Sequence, residues 1–181
     1  MRYPSLLKSL LFVLLLAVVP AVSAQQADAD ASRQKTRDRL NQLLTRISPE
    51  LKINFKQSEK APFAFVGTLA EGLKNCDNFE IVIRITTNET IGIKAFPHYK
   101  NGYINIDKAR NPTQLMRQLM QLNETTFLFW GADDTGDVFT GYTFTLESGF
   151  PDEAIRIVLA SIKNSDETVG KLRPSIDGTN P

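Results

Sequence analysis

Cys76 is the only cysteine and His98 the only histidine in 181 residues, which narrows the covalent and metal chemistry available. A histidine metal site or a Ser-His-Asp arrangement would have to use His98, which sits in Phe96-Pro97-His98-Tyr99 near a strand end. That setting suits a surface or edge histidine. Cys76 reads either as a small buried hydrophobe or as a free thiol able to act as a nucleophile or to pair between chains. No second cysteine exists to close an intrachain disulfide. A Cys76 and His98 dyad would need the ends of two neighbouring strands to meet, and nothing in the spacing requires it.

The carboxylates Asp133, Asp134 and Asp137 share one short turn. A calcium loop spreads its oxygen ligands over about 12 residues and ends on a glutamate. This turn is too short, and its composition is explained by Asp at the entry and Gly136 free to take positive φ. Gly67 and Gly72 are too far apart for a phosphate-cradling loop. Asn88-Glu89-Thr90 and Asn123-Glu124-Thr125 match the glycosylation acceptor pattern. No residue is therefore assigned a catalytic, cofactor-binding or metal-binding role, and no cofactor is expected.

The unusual feature is aromatic. Phe127, Phe129 and Trp130 crowd a strand expected over Thr126 to Ala132, where neighbours point to opposite faces, so both faces carry large rings. In the strand Val138 to Glu147, Val138, Tyr142, Phe144 and Leu146 share one side. With Leu128 and Trp130 on that side under the helices, Phe127, Phe129 and Phe139 fall on the open face and form the candidate interaction surface. A one-residue shift in the hairpin would exchange the groups of the first strand. The alternative is that the chain's own N-terminal segment or a helix covers these rings.

The elements that must position these residues follow from periodicity. Leu40, Leu43, Leu44 and Ile47 draw a helical stripe that predicts a helix ending near Ser48, ahead of Pro49. From Leu51 to Asp107 the period is two, with Phe63 and Phe65, then Phe79, Ile81, Ile83 and Ile85, then Ile91, Ile93 and Ala95. Asn101-Gly102 predicts a hairpin into a strand from Tyr103 to Ile106. Asn111-Pro112-Thr113-Gln114 predicts a capped helix start, with Gln114 reaching back as in a capping box. Leu115, Leu119 and Leu122 form its stripe, with Met116 and Met120 beside it. Pro151 opens a last helix carrying Ile155, Val158, Leu159 and Ile162, with Phe150 stapled onto Ile155. The expected fold is α+β: helix, three strands, helix, two strands, helix, with an antiparallel sheet of about five strands and helices mainly on one face.

The N-terminus has the zones of an export signal. Arg2 and Lys8 make it basic, Leu10 to Val19 is continuously apolar but short of the ~20 residues that span a bilayer, and Val22 and Ala24 suit a cut before Gln25. Residues 1–24 are thus expected to be a signal peptide, 25–32 a disordered leader, 33–165 one α+β domain, and 166–181 a flexible tail broken by Gly170 and Pro174. The mature chain is expected to be periplasmic or secreted, without stable membrane insertion. Loss of Arg2 and Lys8 from 21 basic residues against 20 acidic ones leaves a single net negative charge. No basic run offers a nucleic-acid surface.

Several segments in this order resemble the YbjN family, within the type III secretion chaperone-like superfamily. They are Tyr103-Ile104-Asn105-Ile106, a helix ending Gln121-Leu122-Asn123, the turn Asp133-Asp134-Thr135-Gly136-Asp137-Val138, the strand end Phe144-Thr145-Leu146-Glu147, and Gly149-Phe150-Pro151 before the final helix. The resemblance implies an α+β fold without recognised catalytic residues that binds polypeptides or dimerises. Secretion chaperones are cytosolic and acidic, whereas this chain carries an export signal and is near neutral, so effector delivery is not implied. The function expected is an exported, non-enzymatic protein-binding module whose partner is a polypeptide or a second copy. The alternatives are a periplasmic carrier of a small apolar ligand and, less favoured, a Cys76-dependent enzyme.

Overall fold

The computed structural model describes residues 30–88 and 90–180. The signal peptide expected over residues 1–24 lies outside them, as do residues 25–29 of the expected leader. Residues 30–32 of that leader are helical, a correction, because the first helix (α1) is already formed at residue 30 and runs to residue 51. Its early turns are anchored: the Arg33 guanidinium donates to Ile85 O at 3.1 and 2.7 Å and lies 3.8 Å from the Phe63 ring centroid. Pro49 does not stop α1. The helix ends where Lys52 takes φ 56° and Ile53 N donates back to Ser48 O at 3.2 Å, a closing turn that also buries Ile53.

Seven strands follow: β1 (Lys56–Gln57), β2 (Ala64–Leu69), β3 (Asn78–Ile85), β4 (Thr90–Tyr99), β5 (Gly102–Tyr103), β6 (Phe129–Ala132) and β7 (Val138–Thr145). All pairings are antiparallel, in the order β1-β2-β3-β4-β7-β6, with β5 paired to the end of β4. About five strands were expected; the additional ones are two-residue pieces, too short to show a period. The strand expected over Tyr103 to Ile106 shrinks to β5, followed by one isolated bridge from Asn105 to Asp137.

Helix α2 (Pro112–Thr125) begins with the expected Asn111 cap, its side chain accepting from Gln114 N at 3.1 Å with Pro112 in the first turn. The expected capping box is corrected to a half, because Asn111 N donates to Ser175 O at 2.9 Å and not to the Gln114 side chain. Leu115 and Leu119 are buried, while Met116 and Met120 point to solvent. Helix α3 (Asp152–Ser161) follows Pro151, and a 3-10 turn (Ile162–Asn164) leads straight into α4 (Ser165–Ile176). The flexible tail expected over residues 166–181 is thereby corrected. Val169 and Leu172 are buried three residues apart, and the helix continues through Pro174, which removes one i→i−4 bond in its last turn. Composition at Gly170 and Pro174 hid an apolar spacing that was legible.

One core joins these elements. Residues 79, 81, 83 and 85 of β3 and 91, 93 and 95 of β4 meet the apolar faces of α1, α2, α3 and α4 in a single cluster. The alternate residues of the same strands, Glu80, Val82 and Arg84 with Gly92, Lys94 and Phe96, face away from it. Among the described residues no helix lies over that second face, and no helix is long and apolar enough to cross a membrane.

Candidate functional site

Strand register sets out the uncovered face row by row. Glu80 pairs with Phe96, Ala95 with Thr140, and Gly131 with Phe139, so Glu80, Phe96, Phe139 and Gly131 form one row. Val82, Lys94, Gly141 and Phe129 form the next. Phe139 is therefore ringed by Phe96 at 5.6 Å between centroids and by Phe129 at 5.8 Å and 90°, with Lys94 Nζ 4.0 Å from its ring centre. Edge-to-face aromatic and cation–π contacts of this kind each add about 0.5–1 kcal/mol to plain burial.

The three sequence candidates separate. Phe129 lies on the uncovered face, 37% exposed; Phe139 lies there too but is only 6% exposed, held in the aromatic cluster. Phe127 does not join them. It is 60% exposed and stacks on Tyr142 at 5.2 Å, and Tyr142 pairs with Ile93 on the helix-covered side. The strand starts at Phe129 and not at Thr126, so alternation cannot be carried back to residue 127. Thr126 Oγ1 instead lies at hydrogen-bond distance from both Leu122 O, 2.8 Å, and Leu128 O, 2.7 Å, in the link between α2 and β6.

Above Phe96 a wall rises. Tyr103 packs its ring edge on Phe96 at 6.0 Å and donates its hydroxyl to Glu80 Oε2 at 3.1 Å. The β6–β7 turn adds Asp133, Asp134 and Asp137. Together with Arg84, Thr86 and Lys94, these border an open groove of about 490 Å³ whose floor includes Val82 and Gly92. At Gly92 a side chain is missing without being forbidden, since an added Cβ would meet only Thr143 Oγ1 at 4.0 Å.

The acidic turn uses much of its own charge internally. Asp133 Oδ1 accepts from Thr135 N, Thr135 Oγ1 and Asp137 N at 2.8–3.0 Å, and Asn105 Nδ2 donates to Asp137 Oδ1 at 2.8 Å. Burial opposes ionisation of Asp133, but these donors and the nearby Lys94 outweigh it and hold its carboxyl below the usual range. Gly136 takes φ 82°, as turn chemistry requires. Among the described residues no group of three His, Cys, Asp or Glu side chains is placed to hold a metal ion.

Asn123 is marked by the sequence only as a helix end and a glycosylation match. It guards the outer edge of the sheet: Trp130 N donates to Asn123 Oδ1 at 2.6 Å, and Asn123 Nδ2 donates to Trp130 O at 3.1 Å. One side-chain amide thus occupies both outward backbone groups in the middle of edge strand β6. Addition of a foreign strand there is blocked. No periodic signal in the sequence marks this role, because it depends on α2 lying beside β6.

The Cys76 and His98 pair does not assemble. The His98 ring packs on Tyr103 at 4.3 Å, while the Cys76 backbone N–H donates to the Asp166 carboxylate at 2.9 Å. Burial, and then the charge of Asp166, push the Cys76 thiol far above its ordinary range, the opposite of what a thiolate nucleophile needs. Alkylation of native protein by iodoacetamide at pH 8 is expected to run at least tenfold slower than after denaturation. Equal rates would restore Cys76 as a candidate nucleophile.

No family model matches this chain, and no curated protein sequence matches it. Two solved structures are similar to it. The crystal structure of the ExsC–ExsE complex contains a chain matching over 75% of this one and 94% of its own length, at 14% identity and a TM-score of 0.45. YbjN from E. coli matches over 73% of this chain and 92% of its own, at 14% identity and a TM-score of 0.44.

Proposed function

We propose that this chain is a non-enzymatic module that binds a polypeptide, or a second copy of itself, across the uncovered sheet face, and that it does so in the periplasm or outside the cell once residues 1–24 are removed. The observation that carries the reading is the contrast between the two faces. One is packed by helices, while the other presents an aromatic cluster and a charged, open groove with no helix of the described chain over it. Apolar area exposed in contiguous patches marks interaction sites more often than chance allows. With the β6 edge closed by Asn123, the face offers a partner more than that edge does. An enclosed apolar ligand fits poorly, because this groove is open and edged by charge.

Export is tested by sequencing the N-terminus of the secreted form, expected to begin at Gln25; retention of Leu10 to Val19 defeats it. The binding reading is tested by periplasmic crosslinking and affinity capture, comparing the wild-type chain with Phe129→Ser. Since Phe129 is partly exposed and meets Phe139 edge-to-face, this change is expected to cost the monomer about 2 kcal/mol, less than loss of a fully buried ring, while weakening a partner severalfold. Phe139→Ser serves as the contrast. It removes a buried ring and is expected to cost about 3 kcal/mol, read as a lower melting temperature. A partner held equally by Phe129→Ser and wild type would move the interface elsewhere.

A further inference from the structure

The groove carries both signs of charge, with Arg84 set apart from the acidic wall. Arg84 and Glu80 lie on the same face of β3 four residues apart, which at the rise of a strand places them about 13 Å from each other. Lys94 stands in the row between them with its Nζ 4.0 Å from the centre of the Phe139 ring, on the acidic side, and Thr86 lies beyond Arg84 with its hydroxyl hydrogen-bonded to Thr90. At the Glu80 end the turn contributes Asp134, and among the described residues neither Asp134, Arg84 nor Lys94 takes part in an ion pair. The middle row holds Val82 beside Lys94, the notch over Gly92 lies in the row of Arg84, and Phe96 lies in the row of Glu80 against the acidic wall.

We infer that the groove recognises an extended peptide segment bearing an acidic residue at one position, an apolar residue two further on and a basic residue four further on. This rests on the proposed function and specifies the partner's chemistry. An extended chain repeats on one face every second residue, so positions one, three and five span the same 13 Å or so as Arg84 to Glu80. The acidic side chain meets Arg84 over the Gly92 notch, the apolar one sits over Val82, and the basic one meets Glu80 and Asp134. A free amino acid is too short to reach both ends. Nucleic acid and anionic membrane present one sign of charge and would be repelled at the Glu80 end. The backbone of the sheet is already paired, so the segment lies on the face and does not extend the ladder.

The test uses capped pentapeptides of the types Asp-Thr-Ile-Thr-Arg, Asp-Thr-Ile-Thr-Asp and Arg-Thr-Ile-Thr-Arg, titrated onto the chain lacking residues 1–24 alongside selection from a random peptide pool. The mixed-charge peptide is expected to bind at least tenfold tighter than either single-sign peptide, with a clear loss in 0.5 M salt. Gly92→Val fills the notch and should abolish binding without lowering the melting temperature. Arg84→Glu, a surface change, should shift preference toward the doubly basic peptide. Equal binding of all three peptides, or binding indifferent to both substitutions, overturns the assignment. Enrichment of a different pattern from the pool overturns it but leaves polypeptide binding standing, and no enrichment together with no pentapeptide binding overturns both. A concentration-dependent dimer dissolved by Gly92→Val gives the face to a second copy and also overturns it.

Discussion

Replacing Asp166 by Ala is expected to destabilise the fold by about 3–5 kcal/mol, lowering the melting temperature of a domain this size by roughly 10–15 °C. The reason is the number of donors converging on one buried carboxylate. Asp166, in the first turn of α4 and 5% exposed, accepts from Lys74 N at 2.8 Å, from Asn75 N and Cys76 N at 2.9 Å, and from Asn75 Nδ2 at 3.1 Å. Truncation strands three backbone donors of the β2–β3 loop, each costing on the order of 1 kcal/mol or more when left unpaired. One turn later Gly170 supplies the room: a Cβ there would stand 2.7 Å from Asn75 Oδ1. Asp166 and Gly170 thus form two parts of one socket for the loop.

A pH dependence follows with a definite sign. Burial raises the cost of the Asp166 charge, but the four donors overcome it and hold its carboxyl below the ordinary value. Asp177 is lowered as well, first by Lys100 and then by Thr179 and Tyr99. A carboxyl with a depressed folded-state pKa contributes stability that is fully present above its unfolded value near 4 and is lost as pH falls through the folded one. Unfolding midpoints measured from pH 7 downward should hold steady to about pH 5 and then decline. The decline should be visibly shallower in Asp166→Asn, a variant already weakened at pH 7. A slope identical to wild type would show that Asp166 is not ionised in the fold.

This socket explains why the C-terminal segment was misread from sequence while most of the fold was not. The β3 and β4 residues alternate so regularly that the period and the core-facing set can be read from Phe79 to Ala95. The apolar spacing of Val169, Leu172 and Ile176 was equally present, but Gly170 and Pro174 were weighed as breakers. Gly170 is where Asn75 packs, a contact 95 residues away in sequence that no local pattern reports. The candidate site divided in the same manner. Phe129 and Phe139 sat inside regular strand and could be placed by alternation; Phe127 sat just outside it and could not. Glu80 and Arg84 read as ordinary solvent-facing charges, because their separation along β3 acquires meaning only when the acidic turn folds over the same face.

Two glycines on that face are expected to respond oppositely to the same substitution. Gly92→Ala, on β4, should be neutral or stabilise by up to about 1 kcal/mol, since glycine in a strand carries an entropic cost and the new methyl meets only Thr143 Oγ1 at 4.0 Å. Gly141→Ala, one strand over on β7, should cost 3 kcal/mol or more, roughly the upper end of what overpacking takes. Its Cβ would fall 2.2 Å from Ile93 O and 3.2 Å from Ile93 C. These are backbone atoms of β4, which is paired on both sides by β3 and β7, so neither a rotamer change nor a small shift relieves the clash. The β4–β7 pairing must part locally. Gly141 also faces Phe129 across the β6–β7 ladder, and separation there would loosen the ring cluster around Phe139 together with the turn carrying Asp133 and Asp134. Thermal melts of the two variants measure the contrast directly. Because Gly141→Ala disturbs both the sheet and the acidic wall, its loss of peptide binding should track its loss of stability, whereas Gly92→Val should lose binding alone; equal melting temperatures for Gly141→Ala and wild type would refute the close approach of β7 to Ile93.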